Sequence, residues 1–66
     1  MYWKTEIPRI DDFGQEVINV FIDGKTIDGP WAIMSLDNFN RYGVGLGTGK
    51  GQLYVIKDDK AILKKG

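Results

Sequence analysis

The sequence predicts an α+β fold, a small antiparallel sheet of short strands with one short helix, in the order β-β-α-β-β. Three observations predict it. The runs EVINVFID (residues 16–23) and QLYVIK (52–57) are dense in strand-forming residues. Between them, SLDNFNRYG (35–43) carries helix-boundary residues at both ends. Turn dipeptides, Asp23-Gly24 and Asp58-Asp59, follow the two apolar runs.

The opening MYWKTEIPRIDDFGQ mixes strand formers with Pro8 and a turn-like Asp11-Asp12-Phe13-Gly14. It predicts a short edge strand around Tyr2–Glu6, since proline fits an edge better than a sheet centre. In the next run Ile18, Val20 and Ile22 share one face, with Val17 and Phe21 on the other. Asp23-Gly24 then suits a type I′ hairpin turn, with a return strand from Lys25 that breaks at Asp28-Gly29-Pro30 and resumes at Trp31. A longer loop leading to Trp31-Ala32-Ile33-Met34 as the true second strand is the alternative.

The helix is expected at about residues 35–42. Ser35 is a good N-cap, Asp37 sits where the helix dipole favours an anion, and Arg41 lies near the C-terminus. Leu36, Phe39 and Tyr42 recur every three residues and give one apolar face. Gly43 is placed for a left-handed helix stop. A final hairpin runs from Gln52–Lys57 through Asp58-Asp59 to Lys60–Lys64.

At 66 residues and 7.5 kDa the chain is a single small domain, of a size that buries only about 60% of its unfolded surface. It has no cysteine and no histidine, which excludes disulfides, thiolate or imidazole metal ligands, and nucleophilic or acid–base chemistry by those groups. No cofactor is expected. Nine basic residues balance nine acidic ones, against a partner bound mainly by phosphate neutralisation. No apolar run is long enough for a bilayer-spanning helix or a signal peptide, so the expectation is a protein of the host cell cytoplasm without a membrane partner.

The most unusual stretch is YGVGLGTGKGQ (42–52), with glycine at positions 43, 45, 47, 49 and 51. It contains no dinucleotide fingerprint. G-x-G-x-x-G needs a glycine at i+5, which here always falls on a non-glycine. Nor is it a Walker A loop, because Val44 stands at the first required glycine and Gly51 where Ser or Thr must follow Lys50. If extended, the run places all five glycines on one face, with Val44 and Leu46 entering the core and Thr48 and Lys50 emerging on the other. The bare face is filled either by a ring of the same chain, Trp31 or Tyr54, or by an external partner.

The segments GPWAIM (29–34) and YGVGLGTGKGQLY (42–54) resemble small proteins encoded by bacteriophages, prophages and other mobile elements. In that group G-P-W-A-x-M runs into C-x-x-C, a short helix and Y-G-V-G-L-G-x-G-x-G-Q-x-Y. Where the pattern has cysteines this chain has Ser35 and Asn38, so a zinc site that the pattern implies cannot be carried over. The resemblance implies a mobile-element setting and action on host or phage machinery more than it implies a chemistry.

Catalysis is not expected. The adjacent pairs Asp11-Asp12 and Asp58-Asp59 lie at turns, and neighbours in an extended chain point apart, which is poor geometry for a carboxylate dyad. The expected function is non-enzymatic binding to a host or phage protein, as an inhibitor or adaptor in the setting of bacterial defence. Edge strands also allow a second copy as partner. The alternative is a nucleic acid or anionic nucleotide, held by stacking rings and lysines beside the glycine run. The candidate binding residues are Trp31, Tyr42, Gly45, Gly47, Thr48, Gly49, Lys50, Gln52 and Tyr54.

Overall fold

Four antiparallel strands and one helix, β-β-α-β-β, form the fold expected from the sequence. The computed structural model describes residues 1–66, with β1 (Val20–Lys25), β2 (Trp31–Met34), α1 (Leu36–Tyr42), β3 (Gly51–Lys57) and β4 (Lys60–Lys65). The strands lie in the order β2-β1-β3-β4, so the chain leaves edge strand β2 and passes through α1 and the glycine run to reach β3 beyond β1. β1 pairs Phe21 with Tyr54 and Ile22 with Met34 and Leu53.

β1 is shorter than its apolar run. Asn19 takes a left-handed conformation (φ 63°) that ends the extended geometry, so Ile18 is exposed instead of joining the strand face. The tight turn expected at Asp23-Gly24 does not form. Both residues lie inside β1, where Gly24 pairs with Ala32 on one side and Gly51 on the other. The β1–β2 connection is the longer loop, and Trp31–Met34 is the second strand. The two-residue turn appears at Asp58-Asp59, both at positive φ (52° and 63°), which short Asp side chains tolerate.

One sheet face carries the aromatic core. Phe21 and Tyr54 stack at 5.2 Å, and Trp3 meets both edge-on at 5.1 and 5.2 Å. Ala61 completes the buried cluster, with Ile7, Val17, Ile33, Ile56 and Leu63 packed around it. Instead of the expected Tyr2–Glu6 strand, the N-terminal segment makes a single bridge from Tyr2 to Ile62 and lays Trp3 over the core. The Trp3 N–H to Ala61 and Leu63 N–H to Met1 bonds, 2.9 and 2.8 Å, hold it against β4. Removing the Trp3 ring is expected to lower stability by about 3 kcal/mol, measurable by urea unfolding.

On the opposite face Ile22 and Met34 are fully buried beneath the crossing chain. Ser35 caps α1, its Oγ accepting from the Asn38 N–H at 3.3 Å. The expected apolar helix face is only partly realised: Leu36 is exposed, Phe39 and Tyr42 are half-buried, and the buried helical side chain is polar Asn38. Gly43 ends the helix in an extended conformation (φ −78°), not the left-handed one. Its glycine requirement is steric, because a Cβ there would run into the Phe39 ring.

Candidate functional site

The buried polar residue Asn38 has its partner in the N-terminal segment. Asp11, 5% exposed, accepts from the Ser35 N–H and Asn38 Nδ2 at 2.8 Å each, and from the Phe13 and Gln15 N–H groups at 2.9 Å. Burial alone would raise the Asp11 pKa, but these four donors together outweigh it and hold the carboxyl at about 2. The Asp11 carboxylate thus joins Ser35 and Asn38 to residues 11–15. Asp12 points elsewhere: its Oδ2 accepts from the Ile33 N–H at 2.7 Å, and its own N–H donates to the Ile33 carbonyl at 2.9 Å. The neighbouring carboxylates thus serve two separate tasks.

The Asp12 clamp sits on the outer edge of β2 and shows which way that strand faces. Ile33 turns its N–H and C=O outward to Asp12. Two residues earlier, Trp31 turns its own pair outward in the same way. Across from Trp31, the Lys25 N–H is directed to the other side, donating to the Lys50 carbonyl at 2.7 Å. The β2 edge is therefore closed at Ile33 and open at Trp31, whose side chain is 52% exposed.

A cleft of about 270 Å³ opens beside this edge, lined by Asp12, Phe13, Thr26, Asp28, Pro30, Trp31, Ala32 and Tyr42. Its walls are tied together. The Thr26 N–H and Oγ1 both donate to the Pro30 carbonyl, at 3.0 and 2.8 Å, and the Gly29 N–H returns to Thr26 at 2.9 Å. The Ile27 N–H donates to the Tyr42 carbonyl at 2.7 Å, fixing the loop to the end of α1. Tyr42 in turn stacks on Phe13 at 4.8 Å and 19°. A larger cleft of about 590 Å³, between Thr5–Arg9 and the start of β1, holds no aromatic ring and mixes Glu6, Glu16 and Asp59 with Arg9.

The glycine run is not the extended, one-faced strand expected. Gly45, Gly47 and Gly49 have φ of 137°, 123° and 78°, so the chain coils. Gly47 and Gly51 exchange bonds of 2.8 and 3.0 Å around Thr48-Gly49-Lys50, a small hairpin that turns the chain into β3. The backbone of this run, not the Trp31 or Tyr54 ring, lies against the bare position at Gly51. A Cβ on Gly51 would lie 2.8 Å from the Gly45 oxygen and 3.3 Å from the Gly24 Cα. Around Gly47 and Gly49 the space is open. Val44 is exposed and Leu46 half-buried, so Val44 does not enter the core as expected.

The candidate residues accordingly divide. Trp31 and Tyr42 share the β2 cleft. Thr48, Gly49 and Lys50 are exposed at the hairpin tip; the Lys50 stem lies beside half-buried Gly45, and half-buried Gly47 closes the hairpin base. Gln52 is half-buried opposite Asp23 in the sheet. Tyr54 is 5% exposed in the aromatic core and is no surface residue. Sequence reasoning missed Phe13, Asp12 and Asp28 in the cleft; the Asp-Asp-Phe-Gly turn was visible, but its docking place was not. It also missed the basic end of the sheet, where Lys25 adjoins Lys50, and Lys64 and Lys65 lead to Gly66 beside Gly51 and Gln52.

Asp23 is half-buried in β1, and burial followed by the charge of Asp12 raises its pKa. An acid with a raised folded-state pKa disfavours the native state when ionised and ceases to do so as pH falls through that pKa. Asp23→Asn is therefore expected to raise the melting temperature at pH 7, with the gain shrinking on acidification.

No family model matches the chain, and neither does any curated protein or solved structure. No helix is long and apolar enough to cross a membrane.

Proposed function

We propose that this protein is a non-enzymatic binding module that docks on another protein along the β2 edge. The observation that carries this reading is Trp31, with a half-exposed side chain on an edge strand whose outward backbone groups are open at that residue. Exposed tryptophan is favoured as an interface anchor, and an open strand edge offers main-chain bonds to an incoming segment. In the mobile-element setting that the resemblance implies, the partner is a host or phage protein, and the module is an inhibitor or adaptor. A photo-crosslinking residue placed at position 31 is expected to capture a discrete partner in host cells, while one at exposed Asp59, on the opposite turn, captures none. Equal labelling from both positions contradicts the reading.

A second reading rests on a different observation. Although the net charge is zero, Lys25, Lys50, Lys64 and Lys65 gather at one end of the sheet beside the glycine hairpin. Such a cluster suits phosphate groups of a single-stranded nucleic acid or nucleotide. It requires salt-dependent binding of a labelled single-stranded oligonucleotide, weakened by Lys50→Glu. No anisotropy change at low salt ends it.

A further inference from the structure

We propose that the cleft beside Trp31 receives one cationic side chain, a lysine or arginine, presented by an extended partner segment that pairs with the β2 edge. The inference rests on the docking reading and adds the chemistry of what docks.

The cleft wall is aromatic and aliphatic on Phe13, Tyr42, Trp31 and Pro30, and its only charged residues, Asp12 and Asp28, are both acidic. An alkyl stem with a cationic tip matches that combination, because rings attract cations through their quadrupole and carboxylates attract them directly. Asp12 spends Oδ2 on the Ile33 N–H, and no other bond of its carboxylate is present in the chain. Its charge is also felt at Asp23, whose carboxyl it helps to hold above the ordinary range, after burial. The lining of the cleft is therefore net negative. Lys25 shares a sheet face with its cross-strand partner Trp31, but it is not among the residues that line the cleft.

Size and rigidity select the form of the occupant. About 270 Å³ admits one long side chain, whereas a helix of some 10 Å diameter needs a groove. The loop bonds at Thr26, Gly29 and Ile27 and the Phe13–Tyr42 stack hold the walls in place before anything binds. The outward N–H and C=O of Trp31 are the main-chain contacts that fix an extended segment beside the cleft. Asp12 closes the edge two residues further on, so pairing is short and confined to the cleft.

The test uses acetylated, amidated pentapeptides Thr-Val-X-Val-Thr with X as lysine, norleucine or glutamate, titrated into the labelled full chain and followed by amide and ring NMR shifts. The lysine peptide is expected to move signals of Phe13, Trp31 and Tyr42 and to bind about tenfold more tightly than the norleucine peptide. The glutamate peptide is expected to be weaker still. Asp28→Asn is expected to erase most of the lysine preference while leaving the amide spectrum otherwise in place. Equal binding of lysine and norleucine peptides, shifts clustered away from the cleft, or no shift at roughly 10 mM peptide overturns the proposal. The two readings fail separately. If crosslinking at position 31 captures a partner whose binding Asp28→Asn leaves unchanged, docking at the edge stands and the cationic occupant does not.

Discussion

Asp11→Ala is expected to destabilise the protein by about 3 kcal/mol, close to the limit that a domain of this size tolerates. The substitution removes one small side chain, yet it strands four donors. The Ser35 N–H and the Asn38 amide are buried, and they lose their acceptor. The Phe13 and Gln15 N–H groups lose theirs as well, so the turn carrying Phe13 loosens together with its stack on Tyr42. For a chain of 66 residues the loss corresponds to roughly 12 to 24 °C in melting temperature.

The same residue sets a pH dependence. With a folded pKa of about 2 against an ordinary 3.8, Asp11 contributes stability that is fully present above the unfolded value and is lost as pH falls through the folded one. The shift corresponds to about 2 kcal/mol, withdrawn mostly between pH 4 and 2. Asp11→Asn removes that acid sensitivity, so urea midpoints of the variant and the native chain converge as pH falls. Parallel pH profiles contradict the assignment.

The second large effect is expected at the glycine crossing. A Cβ on Gly24 would lie 2.9 Å from both the Gly51 Cα and the Lys50 oxygen, and a Cβ on Gly51 would lie 2.8 Å from the Gly45 oxygen. All of these are backbone atoms of neighbouring chain segments and cannot rotate away. Gly24→Ala and Gly51→Ala are each expected to cost about 2–3 kcal/mol. The double variant costs less than their sum, since one separation of β1 from β3 relieves part of both clashes. Gly49→Ala meets no atom and costs about 1 kcal/mol through its positive φ alone. Equal losses at the three positions contradict this division, and denaturant midpoints measure it.

These glycines also show what the sequence could and could not disclose. The alternation at 43, 45, 47, 49 and 51 looked like one face of one strand. It is instead two requirements interleaved: positive φ at 45, 47 and 49, and absence of a Cβ at 43 and 51. Composition cannot separate these, because glycine answers both. Asp23-Gly24 misled for the same reason: it is a strong local turn signal, overridden by pairing with Gly51 on a distant strand.

By contrast, Ser35, the Asp58-Asp59 turn and the β3 run were legible because each is decided within a few residues. Tyr54 faces inward because Trp3 and Phe21 come to meet it from far along the chain. The cleft was half legible. Trp31 and Tyr42 stood out as aromatic candidates, but their joining through Phe13 and the loop at Thr26–Pro30 is a tertiary event.

The central claim, docking through the β2 edge, is tested most directly by capture from host lysate with the native chain, Trp31→Ala and Lys50→Glu side by side. Both substituted residues are exposed, so all three proteins are expected to melt within a few degrees of one another. The account predicts one discrete protein retained by the native chain and by Lys50→Glu, and lost with Trp31→Ala. A partner retained by Trp31→Ala and lost with Lys50→Glu contradicts it.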